Sequence, residues 1–202
     1  MRIANLYAGI GGNRRPWGDE HEVVAVEYDP EIAAVYASLH PNDEVIVGDA
    51  LEYIVNHFQE FDLIWASPAC TTHSQYRYNV GVIAKGYPPV IPDMTHLYGL
   101  ITFLKYHYSG EWVVENVRPY YEPLITPTAK VGRHIVWASF PIDDLALPSN
   151  SMRSRNKIVE MEEVTGFDLS EFKIANKRQL LRNCVDEEVS QHILNEYNSK
   201  SL

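Results

Sequence analysis

Residues 2–12, Arg2-Ile3-Ala4-Asn5-Leu6-Tyr7-Ala8-Gly9-Ile10-Gly11-Gly12, decide how the rest of the chain reads. The run from Arg2 to Tyr7 has the length of a strand. The glycines after it let the backbone turn sharply and bring amide N–H groups close to a ligand. A Gly-x-Gly-Gly turn also suits a tight strand-to-helix connection that binds nothing. The next strand-like stretch, Glu22 to Val26, runs into Glu27, where nucleotide-binding α/β folds place an acid that accepts hydrogen bonds from ribose hydroxyls. Tyr28 beside it offers a ring face to a base, and Asp49, in Val47-Gly48-Asp49-Ala50, ends a third strand on the same rim.

Outward from this point, short apolar runs alternate with helix-like segments, the pattern of an α/β domain with a mostly parallel sheet. Further strands are expected at Glu44 to Val47, Asp62 to Ala66, Trp112 to Glu115 and Arg133 to Ser139. Helices are expected at Pro30 to Leu39, Leu51 to Phe58 and Met94 to Tyr106, the first with Asp29 as N-cap and proline at its first position. Val185, Val189, Ile193 and Tyr197 recur every four residues and mark a last amphipathic helix, with Asp186 and Glu187 in its first turn. Ser74 to Asp93, with Tyr76, Arg77, Tyr78, two glycines and three prolines, reads as a long loop. Pro141 to Lys157 reads as a second irregular stretch.

The 202 residues, 46% hydrophobic and 22% charged, suit one compact domain over 1–202 and exclude a disordered or collagen-like chain. No apolar run approaches the ~20 residues of a membrane span, and the N-terminus reads as strand and turn rather than a cleavable signal. A soluble, cytoplasmic protein without a membrane partner is expected. Two cysteines cannot make a disulfide framework, and neither sits in a metal-spaced cluster. The net charge of −10 argues against a broadly basic surface, yet it is unevenly placed. Between Pro16 and Gln75 there are twelve acids and no Lys or Arg, whereas Arg118 to Lys157 carries six basic residues against Glu122, Asp143 and Asp144. That basic stretch suits phosphates and equally suits ordinary solvated surface.

Ser67-Pro68-Ala69-Cys70-Thr71-Thr72-His73-Ser74 follows the fourth strand. A thiol at a strand's carboxyl edge is placed for nucleophilic attack, although a lone cysteine also serves as a small buried hydrophobe. The following strand ends in Glu115-Asn116-Val117, bringing a carboxyl group to the same edge. Such a pair suits attack on an aromatic ring whose nitrogen is protonated as sulfur adds.

With these stretches in order, the chain resembles the cytosine-specific DNA methyltransferases that act on carbon 5. Leu6 to Gly12 is similar to their glycine motif, Glu27-Tyr28-Asp29 to the ribose acid and adenine-stacking position, and Gly48-Asp49-Ala50 to the third cofactor motif. Ser67-Pro68-Ala69-Cys70 with Ser74 resembles the nucleophile motif, Glu115-Asn116-Val117 the glutamate motif, Arg133 the arginine motif and Arg182-Asn183-Cys184-Val185 the last. The resemblance implies a Rossmann-like methyltransferase fold and S-adenosylmethionine as cofactor, held by Tyr7, Ala8, Gly9, Gly11, Gly12, Glu27, Tyr28, Asp49, Ala50, Pro68, Asn183 and Val185. It implies Cys70 as nucleophile, Glu115 as partner of ring nitrogen 3, Asn116 shaping the pocket, and Arg133 binding the base carbonyl or orienting Glu115. DNA would be met by Ser74, Arg77, Arg153, Arg155 and Lys157, or through a partner chain that supplies specificity.

The chain also departs from that pattern. Ala69 stands where proline usually precedes the nucleophile, the paired arginines are thinned to Arg133 followed by His134, and Arg182 replaces a glycine. Only 141–177 remains where the family carries a target recognition domain. Three readings stay open: a minimal, phage-like cytosine methyltransferase, a methyltransferase of free pyrimidine nucleotides, and a catalytically impaired DNA-binding or regulatory protein.

Overall fold

The computed structural model describes residues 1–147 and 157–200. Seven strands, β1 (Arg2–Leu6), β2 (Glu22–Glu27), β3 (Glu44–Val47), β4 (Leu63–Ala66), β5 (Glu111–Val117), β6 (Ala129–Val131) and β7 (His134–Ala138), form one sheet in the order β3-β2-β1-β4-β5-β7-β6. The first five run parallel, and β7 is antiparallel to both β5 and β6. The expected mostly parallel α/β sheet is therefore present. Strand order reverses between β1 and β4, which opens a crevice at their carboxyl ends, the usual ligand position in such sheets.

Helices α1 (Pro30–Leu39), α2 (Ala50–His57), α3 (Leu100–His107), α4 (Ile158–Thr165), α5 (Lys177–Asn183) and α6 (Glu187–Ser199) accompany the sheet. Alternate strand residues point to opposite faces, and each face finds its own cover. Ala4, Val24 and Ile64 pack with Ile54 of α2 and Leu100, Ile101 and Leu104 of α3. Ile3, Val23, Leu63 and Trp65 pack with Val189, Ile193 and Leu194 of α6. None of the described helices is long and apolar enough to cross a membrane.

Local chemistry sets the helix starts. Asp29 Oδ1 accepts from the Glu31 and Ile32 amides, as expected of its capping position, and Asp49 Oδ1 accepts from those of Leu51 and Glu52. The helix expected from Met94 begins with wide, π-type turns over Thr95–Gly99 and becomes α-helical at Leu100. The stretch expected as a loop carries similar turns over Arg77–Ala84. Strand β6 was not expected. It is made by a two-residue hairpin, Gly132-Arg133, with Gly132 at φ +57°, a conformation that favours glycine at the first central position. In the segment 141–177, the described part includes α4, whose Met161 packs with Phe167, Leu169 and Leu181 against Ile10 and Val35.

A buried polar seam joins α6 to the loop after β1. Trp17 Nε1 donates to Ser190 Oγ (2.9 Å), which donates to the Asn13 carbonyl (2.5 Å). Beside it Arg14 makes a two-pronged ion pair with Asp43, at 2.8 and 3.0 Å, and the Tyr36 hydroxyl also donates to Asp43 (2.7 Å).

Candidate active site

At the carboxyl ends of β1 to β5 lies a cavity of about 600 Å³, within the ~300–1,000 Å³ range of small-molecule sites. Its first wall is the loop after β1. The Gly9 amide donates to Glu27 Oε2 (2.9 Å) and the Asp29 amide to Oε1 (3.0 Å), so two backbone bonds fix the carboxylate at the end of β2. A Cβ built at Gly9 would meet nothing within 4 Å, so this backbone borders open space. At Gly12 a Cβ would stand 2.9 Å from Cys184 Cβ and 3.0 Å from the Val185 backbone, so a residue without a side chain lets the α5–α6 connection close onto the loop. Tyr28, 76% exposed, stands at the rim.

The opposite wall carries the reactive pair. Cys70 is half-buried in the loop after β4, and its carbonyl accepts from the amides of His73 and Ser74. Asn116 Nδ2 donates to the Pro68 carbonyl (3.0 Å) while its Oδ1 accepts from the Val117 amide. That bond holds the loop one residue before Ala69. Burial and the nearby Glu115 carboxylate push the Cys70 thiol up, opposed by Arg133. Glu115 is buried, which pushes it up to about 7 against a Ser67 hydrogen bond and the charge of Arg133. The buried Cys184 thiol is raised to about 12 by burial, as befits a packing residue.

Most expected site residues converge here. Cys70, Glu115, Asn116 and Arg133 line the cavity with Tyr7, Ala8, Gly9, Gly12, Glu27, Tyr28, Asp49, Ala50, Pro68, Asn183 and Val185. Gly11 does not. Its α-carbon faces His40 and Tyr36, and it serves close packing of the loop on α1. Ser74 and Arg77 also lie outside the cavity lining: Ser74 Oγ accepts from the Arg77 amide, and Arg77 is exposed. Lys157 is exposed ahead of α4, and Arg153 and Arg155 lie outside the described residues. Arg133 does not hydrogen-bond Glu115; it donates to the Cys184 carbonyl (2.9 Å) and pairs with Asp186 (3.4 Å), because the tight hairpin turns it toward the α5–α6 connection.

Two histidines were missed. His96 bridges Asp93 (Nδ1 to Oδ2, 2.7 Å) and Asp49 (Nε2 to Oδ2, 3.4 Å). Burial opposes its charge, but the two aspartates outweigh burial and raise it. His134 Nε2 stands 3.6 Å from Glu115 Oε2.

Residues 1–86 match the family described as C-5 cytosine-specific DNA methylase. No curated protein matches the sequence. Among solved structures, the Entamoeba histolytica methyltransferase EhMeth superposes over 100% of this chain and 99% of its own, at 11% identity and a TM-score of 0.59. Spodoptera frugiperda DNMT2 (17% identity, TM-score 0.47) shares 73% of this chain and 55% of its own. A protein described as a DNA modification methyltransferase encoded within an Escherichia coli prophage (21% identity, TM-score 0.38) shares 60% of this chain, which spans about a third (33%) of that protein. The chain thus shares the α/β fold of the EhMeth methyltransferase, and its residues 1–86 match the C-5 cytosine-specific DNA methylase family model.

Proposed function

We propose that the chain transfers a methyl group from S-adenosylmethionine to carbon 5 of cytosine in DNA, with Cys70 as nucleophile and Glu115 as acid. One observation carries the reading: Cys70 and Glu115, from adjacent strand ends, line a cavity whose other wall is the Gly9–Glu27–Asp49 rim. The rim fits the cofactor, since the fixed Glu27 carboxylate suits ribose hydroxyls, the backbone at Gly9 borders open space, and the Tyr28 ring is free to cover a base. Bound there, S-adenosylmethionine supplies an electrophilic methyl group.

The residues of the chain do the rest. The Cys70 thiolate adds to carbon 6 of the cytosine while Glu115 gives its proton to ring nitrogen 3, and the electron pair moves to carbon 5. Once carbon 5 has taken the methyl group, its proton passes to water, the electron pair left behind forms the carbon 5–carbon 6 double bond as the bond to sulfur breaks and frees the Cys70 thiolate, and the proton on nitrogen 3 returns to Glu115. A neutral Glu115 also eases formation of the thiolate, because the Glu115 charge is among the causes that raise Cys70. The ring must leave the duplex stack, since its faces are covered there.

The test is covalent trapping. With S-adenosylmethionine, DNA containing 5-fluorocytosine should form a stable adduct, because fluorine blocks the proton loss that releases sulfur. Cys184→Ser should keep the adduct and Cys70→Ser should lose it. Parallel arms with single-stranded DNA, RNA and, using tritiated cofactor, free cytidine nucleotides identify the substrate. An adduct that survives Cys70→Ser, or no transfer in any arm, overturns the reading.

A further inference from the structure

Glu115 has a buried histidine as an ionisable neighbour, and the sheet register explains why. Glu115 lies opposite Val136 on the antiparallel strand β7, so His134, two residues along, is its diagonal neighbour on the same face. Both side chains are buried, 4% and 6% exposed, with Nε2 3.6 Å from Oε2. His134 Nδ1 is buried and has no hydrogen-bond partner among the described residues.

Resting on the methyl-transfer reading above, we infer that His134 is a positioning residue: an uncharged imidazole that holds the Glu115 carboxyl through Nε2 and keeps it able to hand a proton to the ring nitrogen. A proton on Nδ1 would find no acceptor, so the favoured tautomer carries it on Nε2, the nitrogen facing Glu115. Nε2–H then donates to Oε2 when the gap closes in the substrate complex, which leaves Oε1 for the base.

The surroundings agree. Burial lowers His134 to about 3 and raises Glu115 to about 7, so at neutral pH the imidazole is uncharged and the carboxyl is near its midpoint. The other groups facing the pair are Ser67 after β4, Cys70 in the loop beyond it, Arg133 in the β6–β7 hairpin and Asp186 ahead of α6. Arg133 favours the carboxylate and Asp186 opposes it, while Arg133 is itself paired with Asp186. A guanidinium at position 134 would instead hold the carboxyl ionised, with no proton to give.

The test uses the full chain without substrate. Carbon-13 NMR of labelled glutamate carboxyls, with Glu115→Gln to assign the signal, gives the Glu115 midpoint; nitrogen-15 NMR gives the His134 tautomer. The expected results are a midpoint near 7, the Nε2–H tautomer at neutral pH, and a midpoint ~1–3 units lower in His134→Arg, the size of an adjacent-cation effect. The alkaline fall of kcat should move down with it, whereas His134→Gln, an uncharged donor, should leave its position nearly unchanged. A charged or Nδ1–H imidazole in the native chain overturns the proposal, and that measurement needs no variant to fold. An unmoved midpoint in folded His134→Arg does the same. The expected NMR behaviour without methyl transfer to any nucleic acid overturns the methyl-transfer reading instead, so the two failures are distinct.

Discussion

Replacing Glu115 by glutamine should make the protein more stable at alkaline pH and leave it unchanged in acid. Glu115 is 5% exposed, and burial carries its carboxyl from 4.5 to about 7. Between these values the folded chain keeps a proton that the unfolded chain has released, so stability falls as pH rises across the window. The contribution is full below 4.5 and lost above about 7. At 1.36 kcal/mol per unit the rise amounts to about 3 kcal/mol. Glutamine has nearly the same shape and never ionises. The gain of Glu115→Gln over the native chain should be close to zero at about pH 4 and reach about 3 kcal/mol at about pH 8. His134, lowered from 6.5 to about 3 by burial, costs stability as pH falls through that range, but it is present in both proteins and drops out of the difference. Urea unfolding followed by tryptophan fluorescence at several pH values gives the two curves. A difference that does not change with pH would show that Glu115 keeps an ordinary carboxylate midpoint and would refute the argument.

Gly12→Ala should cost ~1–3 kcal/mol, the usual range for overpacking, and weaken S-adenosylhomocysteine binding, because its Cβ would press on Cys184 and the Val185 backbone; unchanged melting and affinity would refute the close approach. Asp43→Ala should cost ~3–5 kcal/mol in urea unfolding, since it leaves the buried Arg14 with only the exposed Asp19 at 3.8 Å in place of its close two-pronged partner, and a loss under about 1 kcal/mol would refute that. Glu27→Ala should weaken S-adenosylhomocysteine by ~1–3 kcal/mol in calorimetry, the range for a hydrogen bond to a charged group, and unchanged affinity would remove Glu27 from the site.

Elements whose signals are local were legible in the sequence. Asp29 and Pro30 fix the start of α1, and the apolar runs of β1, β2, β4 and β5 announce a parallel sheet because both their faces are buried. The chemistry at the strand ends followed, since the register of a parallel sheet brings Glu27, Asp49, Cys70 and Glu115 to one edge. Three-residue β6 is defined by its pairing with β7 and its bonds to Leu145, and the turns over Arg77–Ala84 contain Gly81, which sequence patterns read as loop. The histidines were hidden for a different reason: His96 lies 47 residues from Asp49, and nothing in a lone histidine tells which acid the fold will set beside it. Ser74 and Arg77, expected to meet DNA, are joined in a local turn in which Ser74 Oγ accepts from the Arg77 amide, a bond that no sequence pattern announces.

The seam at Trp17, Asn13 and Ser190 makes the cavity a late product of folding. Its bonds join residues 173 and 177 positions apart, and they bring Asn183 and Val185 against the glycine loop after β1. A nascent chain carrying every strand but not α6 has three sides of the vessel and no fourth. Contacts of such long range are slow to form, so the ability to retain a ligand should follow, and not precede, the docking of α6. A bound ligand, in turn, reports that the loop after β1 and the α5–α6 connection have met, and its binding energy stabilises their union.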